Sequence, residues 1–63
     1  MCESTVYLKE GENEKVIARE AVAMFPKDEG FVIVDISGNR ISVERAEIEY
    51  IDFIKHKVVL KKK

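Results

Sequence analysis

A chain of 63 residues cannot enclose a large hydrophobic core, and this limit constrains its fold more than any motif. Domains of this size bury only about 60% of the surface that the unfolded chain exposes. They commonly gain stability from a disulfide, a metal ion or a second subunit. The single cysteine, Cys2, rules out an internal disulfide. We therefore expect one domain over residues 1–63, stabilised by a metal, a partner chain or an unusually regular core.

Apolar residues alternate with polar ones in short runs, which predicts β-strands along the whole chain. The clearest run covers residues 31–36 and is almost entirely β-branched or aromatic. Over residues 14–25 the alanines favour a helix, whereas Val16, Ile17 and Val22 favour a long, bent strand, which we predict. Residues 11–13, 27–30 and 37–39 supply turns, and Gly30 suits the positive φ that such turns often require.

The alternation changes phase around Glu44-Arg45 and again around Tyr50, which indicates corners or bulges. Lys55-His56 is a predicted short turn before a last strand at residues 57–61. Five to six short antiparallel strands with brief connections predict an all-β fold. Since closure hides exposed sheet edges, we expect these strands to curl into a small SH3-like barrel.

The charge balance gives little attraction to nucleic acid or to a membrane surface, because the formal net charge is −1. No apolar run approaches the roughly 20 residues that a membrane-spanning helix needs. The first residues lack the basic and apolar regions of a signal peptide. We therefore expect a cytoplasmic protein in which Cys2 stays reduced.

The sequence lacks the side-chain combinations of an enzyme. The only histidine, His56, lies between two lysines, and the carboxylates are scattered along the predicted strands. The three glycines stand singly in turns, so no glycine-rich phosphate loop is present. Nucleophilic catalysis needs a nucleophile, a base and a group that orients the base. We predict that the protein is not an enzyme.

Cys2 is the one chemically distinctive residue. Removal of Met1 would leave an N-terminal cysteine, whose thiolate and α-amine can close a five-membered chelate ring on one metal ion. If Met1 stays, the backbone amide of Cys2 is an alternative nitrogen donor. The pKa values of the thiol and amine are about 8.5 and 7.7–8, low enough for a metal to displace both protons. Sulfur and nitrogen donors in a plane suit Ni(II) or Cu(II). The simpler interpretation is a small residue at a strand start.

Other residues have a functional and a simpler interpretation. His56 is either an added metal ligand or an exposed turn residue, and the turn residue is favoured. Tyr7 and Tyr50 either bind a ligand or, as we favour, cover the barrel or a subunit interface. A group of lysines either contacts RNA phosphates or, as we favour, is only solvated. This group consists of Lys55, Lys57, Lys61, Lys62 and Lys63.

The two ends of the sequence resemble the CooT family, small proteins linked to nickel insertion into carbon monoxide dehydrogenase. The resemblance lies in Met1-Cys2 followed by Val6-Tyr7-Leu8, in the turn at Gly11, and in the closing segment at residues 48–60. It implies an SH3-like barrel and a homodimer. It also implies one Ni(II) ion per dimer, bound by the cysteine after the initiator methionine of each subunit. That position is Cys2 in this chain.

Three functions follow from these observations. The leading hypothesis is a cytoplasmic nickel-binding homodimer that acts as a metallochaperone for a client such as carbon monoxide dehydrogenase. The second is a small RNA-binding barrel, a label that members of the resembled family have often carried. The third is a metal-independent protein-interaction module that uses an open strand edge.

Overall fold

The computed structural model describes residues 3–63, which form six β-strands and no helix. The all-β prediction is therefore confirmed for this part of the chain. It contains no helix that is long and apolar enough to cross a membrane. The strands are β1 (Ser4–Glu10), β2 (Asn13–Lys27), β3 (Gly30–Asp35), β4 (Arg40–Val43), β5 (Ala46–Asp52) and β6 (Lys57–Lys62).

Strand β2 is the long, bent strand predicted over residues 14–25, and it extends to 15 residues. It pairs with β1 along its first part and with β3 along its second. Register shifts occur near Ala18 and between Ala21 and Ala23. Such bulges bend a strand and increase its twist, which lets β2 serve two neighbours. Pairing with both strands outweighs the helical propensity of the alanines, two of which are buried in the core.

The strand order in the sheet is β4-β3-β2-β1-β6-β5. Four of the pairings are antiparallel, but β1 and β6 run parallel, with Val6 beside Val58 and Leu8 beside Leu60. The prediction that all strands pair antiparallel is wrong at this point. Apolar alternation has the same period in both kinds of pairing, so it does not reveal strand direction. A parallel pair needs a long crossover connection, which β2 to β5 provide.

The two edge strands of the sheet, β4 and β5, are consecutive in the chain. The sheet therefore has to curl so that the end of β4 lies near the beginning of β5. The predicted corner at Glu44-Arg45 is confirmed, since Arg45 has a φ of 55°. The Ala46 amide donates to the Glu29 carbonyl at 3.0 Å, and the Lys63 amide donates to the Arg45 carbonyl at 2.8 Å. Within residues 3–63, no ladder joins β4 to β5. The described part is thus a curled six-stranded sheet with an open seam.

The core lies on the concave face of this sheet and is entirely apolar. Strand β6 is unusual because Val59 and Leu60, which are adjacent and point to opposite faces, are both 0% exposed. Leu60 joins the core, whereas Val59 is paired with Tyr7 on one side and Tyr50 on the other. The core consists of Val6, Leu8, Ala18, Ala21, Ile33, Val43, Ala46 and Leu60.

The turn between β2 and β3 corrects one prediction. Its residue with positive φ is Asp28, at 55°, and not Gly30. Glycine is required at position 30 for a different reason, namely the close approach of the end of β4. A Cβ atom at this position would overlap the Val43 carbonyl oxygen and lie 2.9 Å from the Glu44 Cα atom. Gly30 thus lets the corner of the sheet cross over the β2–β3 turn.

We expect Gly30→Ala to lower the free energy of unfolding by roughly 3 kcal/mol, because the backbone at Val43 has to move. Gly11→Ala is the matched control. Gly11 has a φ of +63° but open space around it, so its replacement costs about 1–2 kcal/mol from backbone strain alone. Urea denaturation measures both variants. Equal losses of stability would contradict the steric explanation.

Asp35 organises the turn between β3 and β4. Its carboxylate accepts hydrogen bonds from the Asn39 amide at 2.8 Å, the Ser37 amide at 3.0 Å and the Asn39 side chain at 3.1 Å. These bonds stabilise the charged form and hold the pKa of Asp35 below its ordinary value of 3.8, with the Asn39 backbone amide as the largest cause.

A carboxyl group whose pKa is lower in the folded state stabilises that state at pH values above its pKa in the unfolded chain. This stabilisation is lost as the pH falls through the pKa of the folded state. We therefore expect Asp35→Ala to lower the thermal midpoint at pH 7. We also expect the difference from wild type to shrink steadily below about pH 4, as the wild-type carboxyl is protonated. Thermal unfolding from pH 7 to pH 2 measures this. A difference that stays constant over that range would contradict it.

Candidate functional site

The predicted metal ligand, Cys2, lies outside the described residues, but its point of attachment is well defined. The Thr5 amide donates a hydrogen bond of 2.9 Å to the His56 carbonyl, and Thr5 is paired with Lys57. Three residues span at most about 11 Å, so Cys2 lies within that distance of Thr5. The beginning of β1 and the turn between β5 and β6 therefore belong to one site.

The strand register defines a line of residues across the sheet at this site, which we call the chain-start row. Ser4 is paired with Ala21 on β2, and Ala21 is paired with Asp35 at the end of β3. On the other side, Lys57 pairs with both Thr5 and Asp52. The chain-start row thus consists of Asp35, Ala21, Ser4, Thr5, Lys57 and Asp52.

Large apolar side chains are exposed beside this row. Phe53 and Ile54, which we call the turn tip, are 80% and 91% exposed at the start of the β5–β6 turn. Residue Val22 and residue Ile36 are also exposed, and each directly follows a member of the row. Isolated exposed apolar residues are common, but adjacent large ones commonly indicate a contact surface.

The turn tip was not predicted as such. The turn was predicted only at Lys55-His56, whereas the structure ends β5 at Asp52 and forms a turn over residues 53–56. The Asp52 carboxylate accepts a hydrogen bond of 3.0 Å from the Lys55 amide, which stabilises this turn. An aspartate side chain often starts a turn by accepting a hydrogen bond from a backbone amide a few residues later. Asp52 is therefore a local signal that could have revealed this turn.

A small groove, lined mostly by apolar residues and by Ser4, opens beside the beginning of β1. Its volume is about 160 Å³, and the bulge of β2 forms one wall while β1 and β6 form the other. We call it the row groove. Two alanines of the bulge keep it open because they have short side chains. It is lined by Ser4, Val6, Ala21, Val22, Ala23, Met24 and Val58.

His56 occupies the exposed turn position that was favoured for it, with a φ of 52°. Its carbonyl holds Thr5, so the backbone of His56 fixes the beginning of β1. Among residues 3–63, no three His, Cys, Asp or Glu side chains lie together as a metal-binding group. That the His56 imidazole takes no part in metal binding stays a prediction.

The convex face beside the row carries a compact group of side chains around Lys57. The Lys57 ammonium lies 4.9 Å from the centre of the Tyr7 ring and 5.8 Å from that of Tyr50. It also lies 3.9 Å from a Glu14 carboxylate oxygen. The Tyr50 side chain, and to a lesser extent Glu14, raises the pKa of Lys57 above its ordinary value of 10.5. This arrangement covers Val59, which agrees with the covering role predicted for the tyrosines.

The lysines considered for RNA binding do not form one patch. Lys55 and Lys57 lie near the chain-start row, whereas Lys61 and the residues after it lie at the opposite end of β6. Lys57 and Lys61 are four residues apart on one strand, which separates the two groups by about 13 Å. Lys57 is engaged with aromatic rings, and Lys62 donates to the Glu44 carbonyl at 3.1 Å. The basic residues are therefore distributed along the sheet.

Comparison with known proteins adds a family assignment to this geometry. The family described as CO dehydrogenase accessory protein CooT matches residues 1–61. Among solved structures, a candidate CooT from Carboxydothermus hydrogenoformans superposes with a TM-score of 0.88 at 22% sequence identity, covering 98% of each chain. That likeness concerns the fold. No curated protein matches the chain in sequence.

The family match includes both the beginning of the chain and the β5–β6 turn that holds it. The resemblance found in the sequence is confirmed over nearly the whole length. This chain belongs to the CooT family of CO dehydrogenase accessory proteins.

Proposed function

We propose that two copies of this chain bind one Ni(II) ion between them through Cys2 and hold it for the maturation of CO dehydrogenase. In this role the protein is a cytoplasmic metallochaperone without catalytic activity of its own. In this proposal the curled sheet corresponds to an SH3-like barrel, and it carries the metal-binding segment. The observation that carries the proposal is the CooT family match, which extends over residues 1–61 and therefore includes Cys2.

The chemistry of Cys2 suits this cargo. With Met1 removed, each chain offers a thiolate and an α-amine, and two chains offer four donors. Sulfur and nitrogen donors in a square plane are typical ligands of Ni(II). A two-fold axis through the ion makes one cysteine per chain sufficient, because each subunit contributes the same pair of donors. Binding displaces the thiol and amine protons, so affinity increases with pH until both groups are deprotonated.

The described residues support a site shared between chains. The beginning of β1 is fixed by the Thr5–His56 hydrogen bond at one end of the sheet. Exposed apolar side chains flank that point on both sides, including the turn tip and Val22. Two copies that meet here would bring their Cys2 residues close to a common axis. A second subunit also compensates for the small core that a chain of this length can form.

We expect titration with Ni(II) to give thiolate-to-nickel charge-transfer absorption that saturates at one ion per two chains. Cys2→Ser should abolish this absorption and weaken binding at least a hundredfold, because a serine hydroxyl is not deprotonated near neutral pH. His56→Ala is the matched control and should retain the stoichiometry and the spectrum. Absorption spectroscopy and calorimetry measure spectrum and affinity.

Native mass spectrometry of the same samples should show a dimer with one nickel ion and without Met1. Unchanged nickel binding by Cys2→Ser would exclude the proposed site. A saturated complex of one chain with one ion would exclude the shared arrangement.

A further inference from the structure

The edge strand β5 exposes apolar side chains on the core face of the sheet. Within residues 3–63 this strand pairs only with β6. Ile48 lies beside Leu60 and Ile51 beside Val58, so both isoleucines are on the same face as the core. Leu60 is fully buried, whereas Ile48 and Ile51 are 44% and 39% exposed. The open seam thus leaves uncovered an apolar surface that a further strand would bury.

The directions of the backbone groups along β6 determine which groups of β5 are left without a partner strand. The Thr5 amide donates to the His56 carbonyl, so the backbone groups of His56 face β1. Successive residues of a strand direct their N–H and C=O groups to alternate sides. The backbone groups of Val58 and Leu60 therefore also face β1, and they do not bond to β5.

The residues of β5 that are paired with Val58 and Leu60 are Ile51 and Ile48. Their own N–H and C=O groups consequently face outward, away from β6. Ala46, at the beginning of the strand, shows the same direction, because its amide donates to the Glu29 carbonyl outside the ladder. The two exposed isoleucines therefore offer unpaired backbone donors and acceptors together with apolar side chains.

The charge along this edge is acidic. Glu47 and Glu49 flank Ile48 in the sequence, and in a strand their side chains lie on the opposite, convex face. Glu49 forms a salt bridge of 3.1 Å with Lys9, whereas neither salt bridge found among residues 3–63 involves Glu47. Residues 44–52 carry four acidic side chains and one basic one. They are Glu44, Glu47, Glu49, Asp52 and Arg45.

This edge is unsuited to pairing with its own copy. Two β5 edges side by side would bring carboxylates together, and like charges on neighbouring strands destabilise a sheet. The register shift between Ile48 and Tyr50 also interrupts the regular spacing of the edge. Charges and bulges are the usual means by which edge strands avoid pairing with identical chains. A strand with basic side chains would relieve the charge repulsion.

We infer that the outer edge of β5 binds an extended segment of another protein in which apolar and basic side chains alternate. The segment adds a strand to the sheet, and its backbone bonds to the outward groups of Ile48 and Ile51. Its apolar side chains lie beside these isoleucines, and its basic side chains lie beside Glu47 and Glu49 on the convex face. This binding involves neither Cys2 nor a metal ion and is therefore independent of the proposed function.

The other edge strand, β4, fits such a segment less well. Its core-side residues, Ile41 and Val43, are half-buried and buried, so this strand exposes no large apolar side chain. Its first residue is Arg40, whose side chain is exposed and would repel a basic segment. The apolar surface and the acidic charge occur together only at the β5 edge of the described sheet.

The test uses a synthetic peptide in which lysine and valine alternate, and a matched peptide in which glutamate replaces lysine. NMR titration of the full chain without metal should show saturable binding of the lysine peptide and none of the glutamate peptide. Hydrogen exchange of the Ile48 and Ile51 amides should slow at least tenfold in the complex, because they become hydrogen-bonded. The Glu47 amide, which already faces β6, is the internal control and should change little.

Charge reversal provides a second readout. Glu47→Lys should raise the Kd of the lysine peptide roughly tenfold, because an attractive cross-strand pair becomes a repulsive one. It should also allow the glutamate peptide to bind. Glu20→Lys changes the net charge equally at an exposed position three strands away, and it should leave both peptides unaffected. Circular dichroism checks that both variants are folded.

A lysine peptide that is N-methylated along its pairing edge separates strand addition from general charge attraction. It keeps the charges but cannot donate backbone hydrogen bonds, so it should not bind. Equal binding of the lysine and glutamate peptides, equal effects of Glu47→Lys and Glu20→Lys, or binding of the N-methylated peptide would each overturn the inference. Exchange protection at Arg40 and Ser42 in place of Ile48 and Ile51 would do the same.

Discussion

The parallel pairing of β1 with β6 is the constraint on which the rest of the structure depends. It joins the first and last strands of the chain and places Val6 beside Val58 and Leu8 beside Leu60 in the core. Because the strands run in the same direction, the beginning of β1 lies next to the beginning of β6 and hence next to the turn that precedes it. The beginning of β1 is thereby fixed to the turn that carries the two most exposed large apolar side chains among residues 3–63, Phe53 and Ile54.

Burial of β6 on both faces explains how so short a chain holds this pairing. Leu60 contributes to the core, while Val59 is covered on the convex face by Tyr7 and Tyr50. The Lys57 ammonium lies over both rings and near Glu14, so one side chain connects β6 with β1, β2 and β5. Its aliphatic stem adds apolar cover while its charge remains near solvent. The pairing that positions the site is thus stabilised from two sides.

The sequence predicted the strands well and their arrangement less well, for identifiable reasons. Alternation and turn residues predicted five to six strands, of which the structure shows six, and the phase changes at Glu44-Arg45 and Tyr50, because these features are local. Strand direction is not local, so the parallel pair was missed. Glycine is required at position 30 because the end of β4, thirteen residues later in the chain, passes close to it. The residues around Gly30 in the sequence do not indicate this contact. Cys2 was predicted as a ligand from its chemistry and lies outside the described residues, whereas the groove beside Ser4 depends on a bulge that only pairing reveals.

Under the proposed function the protein is a carrier, which has to bind its ion firmly and still release it, and the location of the chain start bears on both requirements. Donors within a core would exchange an ion only if the fold opened, which costs a large part of the stability of so small a domain. Donors divided between two chains exchange it when the interface separates, while each sheet stays folded. The interface then determines the residence time of the ion, since affinity differences between related interfaces arise mainly from dissociation rates. If two chains share the ion as proposed, its release follows the separation of the chains, and the fold itself need not change.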